Sequence, residues 1–263
     1  MVQVSAQSPE SPCLSLGMPA EMASAEGLQA LRRIARQHDP VSAGTRLYEA
    51  GDPLGAIYAV RSGAVKTVHR DASGEEQVVA FHLPGEFFGL SGIAEGHYPG
   101  AAITLTRTAV CALPYQRLFR VARESAVLRR QLLRLLSGVI VMEQGQYAAL
   151  AGHTAEVRLA FVLDRLRQRL RYPATPGTEL RLPMTRAELG SSIGLAAETT
   201  SRVFHRLQAR GLIEASGRRI RYVDPPALAR LGAPADAAES AAAGRLRGYS
   251  PAADSVRSCA ERI

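Results

Sequence analysis

The sequence predicts an α+β protein in three parts: an N-terminal β-barrel or jelly roll, a long helix suited to dimerisation, and a C-terminal winged helix-turn-helix. Three observations carry that expectation. Short β-rich runs between Val41 and Pro114 are punctuated by Gly51, Gly63, Gly74 and Gly85, at intervals of 12, 11 and 11 residues, which is the rhythm of a sandwich or barrel. Apolar residues then recur at spacings of 3 and 4 over three heptads. Lastly, the stretch MTRAELGSSIGLAAETTSRVFHRLQAR, residues 184–210, reads as two short helices joined by a tight turn.

In chain order, residues 1–20 are Ser/Pro-rich and are expected to form a flexible N-terminus. Residues 21–116 form the barrel. They start with a helical pattern at Leu28, Leu31 and Ile34 and continue through the runs AIYAV, AVKTVH, EQVVAFHL and AITLTRTAVCALP. Residues 117–152 form the long helix. Leu132, Leu135, Val139, Met142, Gln146 and Ala149 make a coiled-coil seam, while Leu133, Leu136 and Ile140 make a second stripe that could pack on the barrel. A helix with two apolar faces needs two partners, and the seam is expected to meet a second subunit. The alternative is a helix sandwiched within one subunit. Residues 153–231 hold the helix-turn-helix, with Gly211 to Val223 as a hairpin wing turning at Ser216-Gly217. Residues 232–263 are Ala/Ser/Gly-rich and expected to be a disordered tail.

The second short helix carries the chemistry. At about 100° per residue, Glu198, Ser201, Arg202, His205 and Ala209 share one sector, and Thr200, Val203, Phe204 and Leu207 the opposite one. Thr185 and Glu188 have capping-box spacing at the start of the first helix, and Gly194 supplies the turn. An Arg can donate two bonds to guanine, a Glu can accept from cytosine, and a Ser can do either. The competing reading of Glu198 and Arg202 is an ordinary i, i+4 ion pair. Arg186, at the start of the first helix, is a candidate phosphate contact.

Composition agrees with a polyanionic partner. The net charge is +8, and of 32 basic residues only Lys66 is a lysine. Between Glu156 and Val223 thirteen Arg face six acidic residues, which places the surplus where phosphate attraction needs it. No run of 18 apolar residues could span a membrane, and the first twenty residues lack signal-peptide regions. Cys13, Cys111 and Cys259 show no C-x-x-C spacing, so a cytoplasmic protein without a disulfide framework is expected. No catalytic motif stands out: there is no G-x-S-x-G around Ser91, no P-loop and no H-E-x-x-H. His69, His82, His97, His153 and His205 show no metal-ligand spacing.

The order of barrel, long helix and winged helix-turn-helix resembles the Crp–Fnr family of bacterial transcription regulators, from about Glu26 to Leu231. The resemblance is closest to the oxygen-sensing Fnr branch in DPLGAIYAVRSGAVK, EEQVVAFHLPGEFFGLSGI, LLRLLSG and the helix-turn-helix. It implies a homodimer on double-stranded DNA, reading a TTGAT-type inverted repeat through Glu198, Ser201 and Arg202 and activating transcription through RNA polymerase. It implies a signal as well. The cyclic-AMP branch holds its phosphate with an Arg-Ser pair after a Gly-Glu motif. Here Gly85-Glu86 is followed by His97-Tyr98-Pro99-Gly100-Ala101-Ala102, without a guanidinium, which argues against cyclic AMP. The Fnr branch holds a [4Fe–4S] cluster with three N-terminal cysteines and one in the barrel. Cys111 matches the barrel position, but the N-terminus offers only Cys13 and has Gly17-Met18-Pro19 near the last ligand. The ligand set is incomplete, so the cofactor is unknown. A thiol switch through Cys13 and Cys111 is the remaining redox reading, with a buried apolar Cys as its structural alternative. A barrel serving protein–protein control, with a vestigial helix-turn-helix, is the competing function.

Overall fold

The structure, a computed structural model, describes residue 31 and residues 33–71, 74–170 and 175–233. The expected flexible N-terminus and nearly all of the expected tail, with Leu28, Cys13, Gly17-Met18-Pro19 and Cys259, lie outside those residues.

The β-rich half forms eight strands: β1 (Arg36–Gln37), β2 (Arg46–Tyr48), β3 (Ala56–Ser62), β4 (Val65–Arg70), β5 (Glu76–His82), β6 (Phe87–Phe88), β7 (Ala101–Thr104) and β8 (Ala109–Pro114). They pair antiparallel into two sheets ordered β1-β8-β3-β6 and β2-β7-β4-β5, a jelly-roll arrangement. The run AITLTRTAVCALP is two strands and not one. It breaks at Leu105 to Thr108, where the buried Thr108 hydroxyl donates to the Ala64 carbonyl at 3.1 Å. Tyr48, Val65 and Ala102 from one sheet meet Val60, Phe88 and Val110 from the other. Tyr98 stacks on Tyr48 with ring centroids 3.7 Å apart, and its hydroxyl donates to the Ala56 carbonyl at 2.6 Å.

The expected single helix over 117–152 is two, α1 (Tyr115–Glu124) and α2 (Ala126–Leu150). They are separated at Ser125, whose hydroxyl accepts from the Leu128 amide and caps α2. The two apolar stripes of α2 take the opposite roles to those expected over its first turns. Leu132 packs on a core of Leu31, Ile57, Leu113, Leu118 and Leu128, and Leu135 lines a small cavity beside it. Leu133, expected on the barrel, is 66% exposed. Val139 is half-buried, and Met142 is at the margin of exposure. Farther along, Leu136 and Ile140 of the same stripe as Leu133 do border a cavity against the jelly roll, as expected, while Leu133, Ile140 and Tyr147, at heptad spacing, are all exposed. The stripes lie only about 100° apart, so periodicity alone could not say which one faces inward. The turn at Ser125 decides it.

The C-terminal part comprises α3 (Ala155–Arg169), β9 (Glu179–Arg181), α4 (Arg186–Ser191), α5 (Ala197–Ala209), β10 (Ile213–Ser216), β11 (Arg219–Tyr222) and α6 (Pro225–Gly232). Leu159, Leu163 and Leu166 of α3 are fully buried against Phe204, Leu207 and Ile220. The Tyr222 hydroxyl donates to the Leu163 carbonyl at 2.8 Å. Beyond the expected hairpin, β9 adds a third strand and makes a sheet ordered β10-β11-β9.

Candidate nucleic-acid interface

The reading head is built by local rules. The Thr185 hydroxyl accepts from the Glu188 amide at 3.1 Å. In return the Glu188 carboxylate accepts from the Thr185 amide at 2.7 Å. This reciprocal capping box starts α4. The turn to α5 uses Gly194 at φ 67, a left-handed conformation that a Cβ would strain. Gly190 sets the spacing of the two helices, because a methyl there would collide with the Thr200 hydroxyl. That hydroxyl donates to the Ala196 carbonyl. On α5, Thr200, Val203, Phe204 and Leu207 are all at 0% exposure. Burial of each large apolar side chain is worth about 1.5–3 kcal/mol, which fixes the rotation of the helix.

The opposite sector is open. Glu198, Ser201, Arg202 and His205 are all exposed. Arg202 donates to the Thr199 hydroxyl at 3.3 Å. Among the described residues no ion pair joins it to Glu198, so the i, i+4 bridge is not formed. The back of α5 is held by Glu156, which pairs with Arg206 at 3.1 Å and Arg210 at 2.9 Å. Thr185 and Arg186 have structural duties. The Arg186 guanidinium lies 4.6 Å from the Phe204 ring centroid and donates to the Gly217 carbonyl at 3.2 Å. It thus ties α4 to both α5 and the wing tip.

The remaining candidates lie apart from this face. Cys111 on β8 is at 0% exposure within a core that includes Ile57, Ala59 and Leu113. Among the described residues no three His, Cys, Asp or Glu converge as metal ligands. His82, on β5, shares a contact with the Thr67 hydroxyl at 3.2 Å, and its pKa is pushed down to about 4 by desolvation.

Two contacts between the jelly roll and the reading half escaped sequence reasoning. The Glu86 carboxylate, in the Gly-Glu motif, accepts from both Nε and an amino group of Arg169 at 2.8 and 2.6 Å. Arg169 also donates to the Phe81 carbonyl at 2.5 Å. Lys66 Nζ lies 2.8 Å from Glu188. Both pairs span more than eighty residues, and no spacing rule reaches that far.

Comparison with known proteins places this geometry. A cyclic nucleotide-binding domain model matches residues 39–125, and a Crp-like helix-turn-helix domain model matches residues 157–231. The chain is 40% identical over 219 residues to the transcriptional activator protein Anr of Pseudomonas aeruginosa, covering 83% of this chain and 88% of that one. It is 36% identical over 204 residues to the fumarate and nitrate reduction regulatory protein of Escherichia coli K12, covering 78% and 82%. The solved structure of FixK2 from Bradyrhizobium japonicum matches with a TM-score of 0.68 at 28% identity, over 76% of this chain and 98% of that one.

Proposed function

This chain belongs to the Crp–Fnr family of transcription regulators, in its Fnr branch, and we infer that it binds a TTGAT-type inverted repeat as a homodimer and activates transcription there. It is a DNA-binding transcription regulator and not an enzyme, as its relatives are by name. The observation that carries the finer reading is the exposed face of α5. Glu198, Ser201 and Arg202 point outward from a helix whose other side is locked in the core, and their charges are not spent on each other. A recognition helix presented in this way enters a major groove and reads base edges.

Two-fold pairing follows from the exposed row Leu133, Ile140 and Tyr147 on α2. An apolar heptad stripe open to water is the surface that a second copy of the same helix would cover. Two reading heads then meet two half-sites, and activation proceeds by contact with RNA polymerase.

For the signal, the residues fit neither standard ligand of the family. The cavity of about 330 Å³ between the jelly roll and α2 is bordered by His82, Phe88, Val139 and Glu143, and no Arg or Lys lines it. A cyclic phosphate would find no cation there. A [4Fe–4S] cluster takes four thiolates, and the whole chain has three cysteines. We therefore assign any oxygen or redox response to thiol chemistry at Cys111 and Cys13, with Cys111 needing local opening of β8 to react.

Arg202→Ala tests the base-reading role. It is expected to cost about 1–3 kcal/mol on the inverted repeat and to relax discrimination at one base position. Equal losses on the repeat and on random DNA would overturn it.

A further inference from the structure

Along α5 and its C-cap, Glu198, Arg202, Arg206 and Arg210 follow one another at intervals of four residues. Each such step carries a side chain about 40° further round a helix. The row that begins on the open face therefore winds towards one flank, and the structure divides its arginines. Arg202 meets no carboxylate among the described residues and donates to the Thr199 hydroxyl. Arg206 and Arg210 both end on Glu156 of α3. Nε of Arg206 lies 3.1 Å from Oε1, and an amino group of Arg210 lies 2.9 Å from Oε2. One carboxylate takes two guanidinium groups, one on each oxygen.

Glu156 is the fixed member of this trio. It stands in the first turn of α3, where the helix dipole favours a carboxylate, and Leu159 and Leu163 anchor that helix in the core. Its side chain is 22% exposed, against 56% and 50% for Arg206 and Arg210. The two arginines are long, half in water and tied down only at their tips. A single pair of this kind at a surface is weak, but here two converge on one partly covered acid.

The consequence concerns discrimination. Arg206 and Arg210 follow Arg202 by one and two turns, about 6 and 12 Å along the helix axis. A free guanidinium at that distance from a base-reading arginine is drawn to the nearest phosphate, and a phosphate contact carries no sequence information. Random sites compete with the target, so affinity gained on every duplex alike dilutes the regulator.

We propose that Glu156 is a specificity-determining residue of the reading head. It holds Arg206 and Arg210 off the sugar-phosphate backbone and fixes the roll of α5, so that Arg202 is the one arginine of the row left for bases. The proposal rests on the DNA-reading role of α5 and assigns to α3 the restraint on sequence-independent attraction.

The test is DNA binding by the full-length protein across a salt series, on a duplex with the TTGAT-type inverted repeat and on a random-sequence duplex. Each added phosphate contact steepens the log–log salt slope by about 0.9, and a dimer has four such arginines to release. Glu156→Gln is expected to steepen the slope on random DNA by about 2–4 and to raise affinity there several-fold. On the repeat the gain is smaller, because the freed α5 loses its seat, and the ratio of the two affinities falls. Arg206→Gln with Arg210→Gln is expected to leave the parental slope on random DNA unchanged, and to restore that slope when added to Glu156→Gln. An equal effect of the two Gln substitutions in both backgrounds would mean that Glu156 acts only through its own charge at long range, and overturns the proposal. Weaker binding of Glu156→Gln to both duplexes at a parental slope also overturns it, as the mark of a merely structural residue. If Arg202→Ala leaves the affinity ratio untouched while Glu156→Gln steepens the slope, the base-reading assignment falls and the restraint by Glu156 stands.

Discussion

Arg169 and Glu86 lie 83 residues apart in the chain, yet they meet through two hydrogen bonds of 2.8 and 2.6 Å. The pair joins the last turn of α3 to the loop between β5 and β6, and so ties the reading half to the jelly roll. Side-chain exposures of 21% and 29% put it between a surface pair and a buried one. Arg169→Glu is expected to destabilise the protein by about 1–3 kcal/mol in denaturant unfolding, because it leaves Glu86 facing a like charge. The reversed pair Glu86→Arg with Arg169→Glu should recover part of that loss. A double variant no more stable than the sum of the singles predicts would mean that the contact contributes nothing.

The proposed dimer surface and the core of α2 differ in exposure, Ile140 at 54% against the partly buried Leu132. Ile140→Glu sits on the open row of α2 and is expected to give folded monomers in sedimentation, with loss of binding to the inverted repeat. Leu132→Glu would place a charge in the jelly-roll core and is expected to lower thermal stability before any change in assembly. Stable dimers with Ile140→Glu would move the interface elsewhere.

His82 gives a pH dependence of known sign. Its folded pKa, about 4, lies below the ordinary value of 6.5 because desolvation disfavours the imidazolium. Between those values the unfolded chain binds the extra proton, so stability falls as pH drops from about 6.5 towards 4. The ring opens partly onto the cavity, which limits the effect to roughly 1–2 kcal/mol. His82→Gln should flatten the stability profile in that window, and an unchanged slope in the variant would remove His82 as its source.

Cysteine counting makes a separate expectation. Protein prepared without oxygen should contain less than four iron atoms per chain, since four thiolates are not available within it. A redox-dependent change in DNA affinity, if carried by thiols, should vanish in Cys111→Ser and persist in Cys259→Ser. A stoichiometric cluster would require ligands other than cysteine.

Legibility in the sequence followed the range of the forces involved. The capping box at Thr185 and Glu188, the apolar sector of α5 and the turn at Gly194 are set within a few residues, and each formed as the sequence predicts. The strands next to glycine turns were readable for the same reason. The two-residue strands β1 and β6 were not, because they exist only through long-range pairing. The roles of Leu132 and Leu133 depended on a turn at Ser125 that periodicity does not encode. The third strand of the wing was hidden too: Arg181 and Arg219 become neighbours only when β9 pairs with β11.

One further consequence attaches to Lys66. It is the chain's single lysine, and it sits at 17% side-chain exposure against Glu188, where the jelly roll touches the start of the reading head. Lys66 is therefore the one side-chain amine that amine-selective acylation can mark, and it reports on one junction. An ion-paired, mostly covered amine acylates slowly, and it speeds up when its partner withdraws. The rate of modification at Lys66, followed by mass spectrometry with and without operator DNA, would time the parting of the two halves with no engineered label.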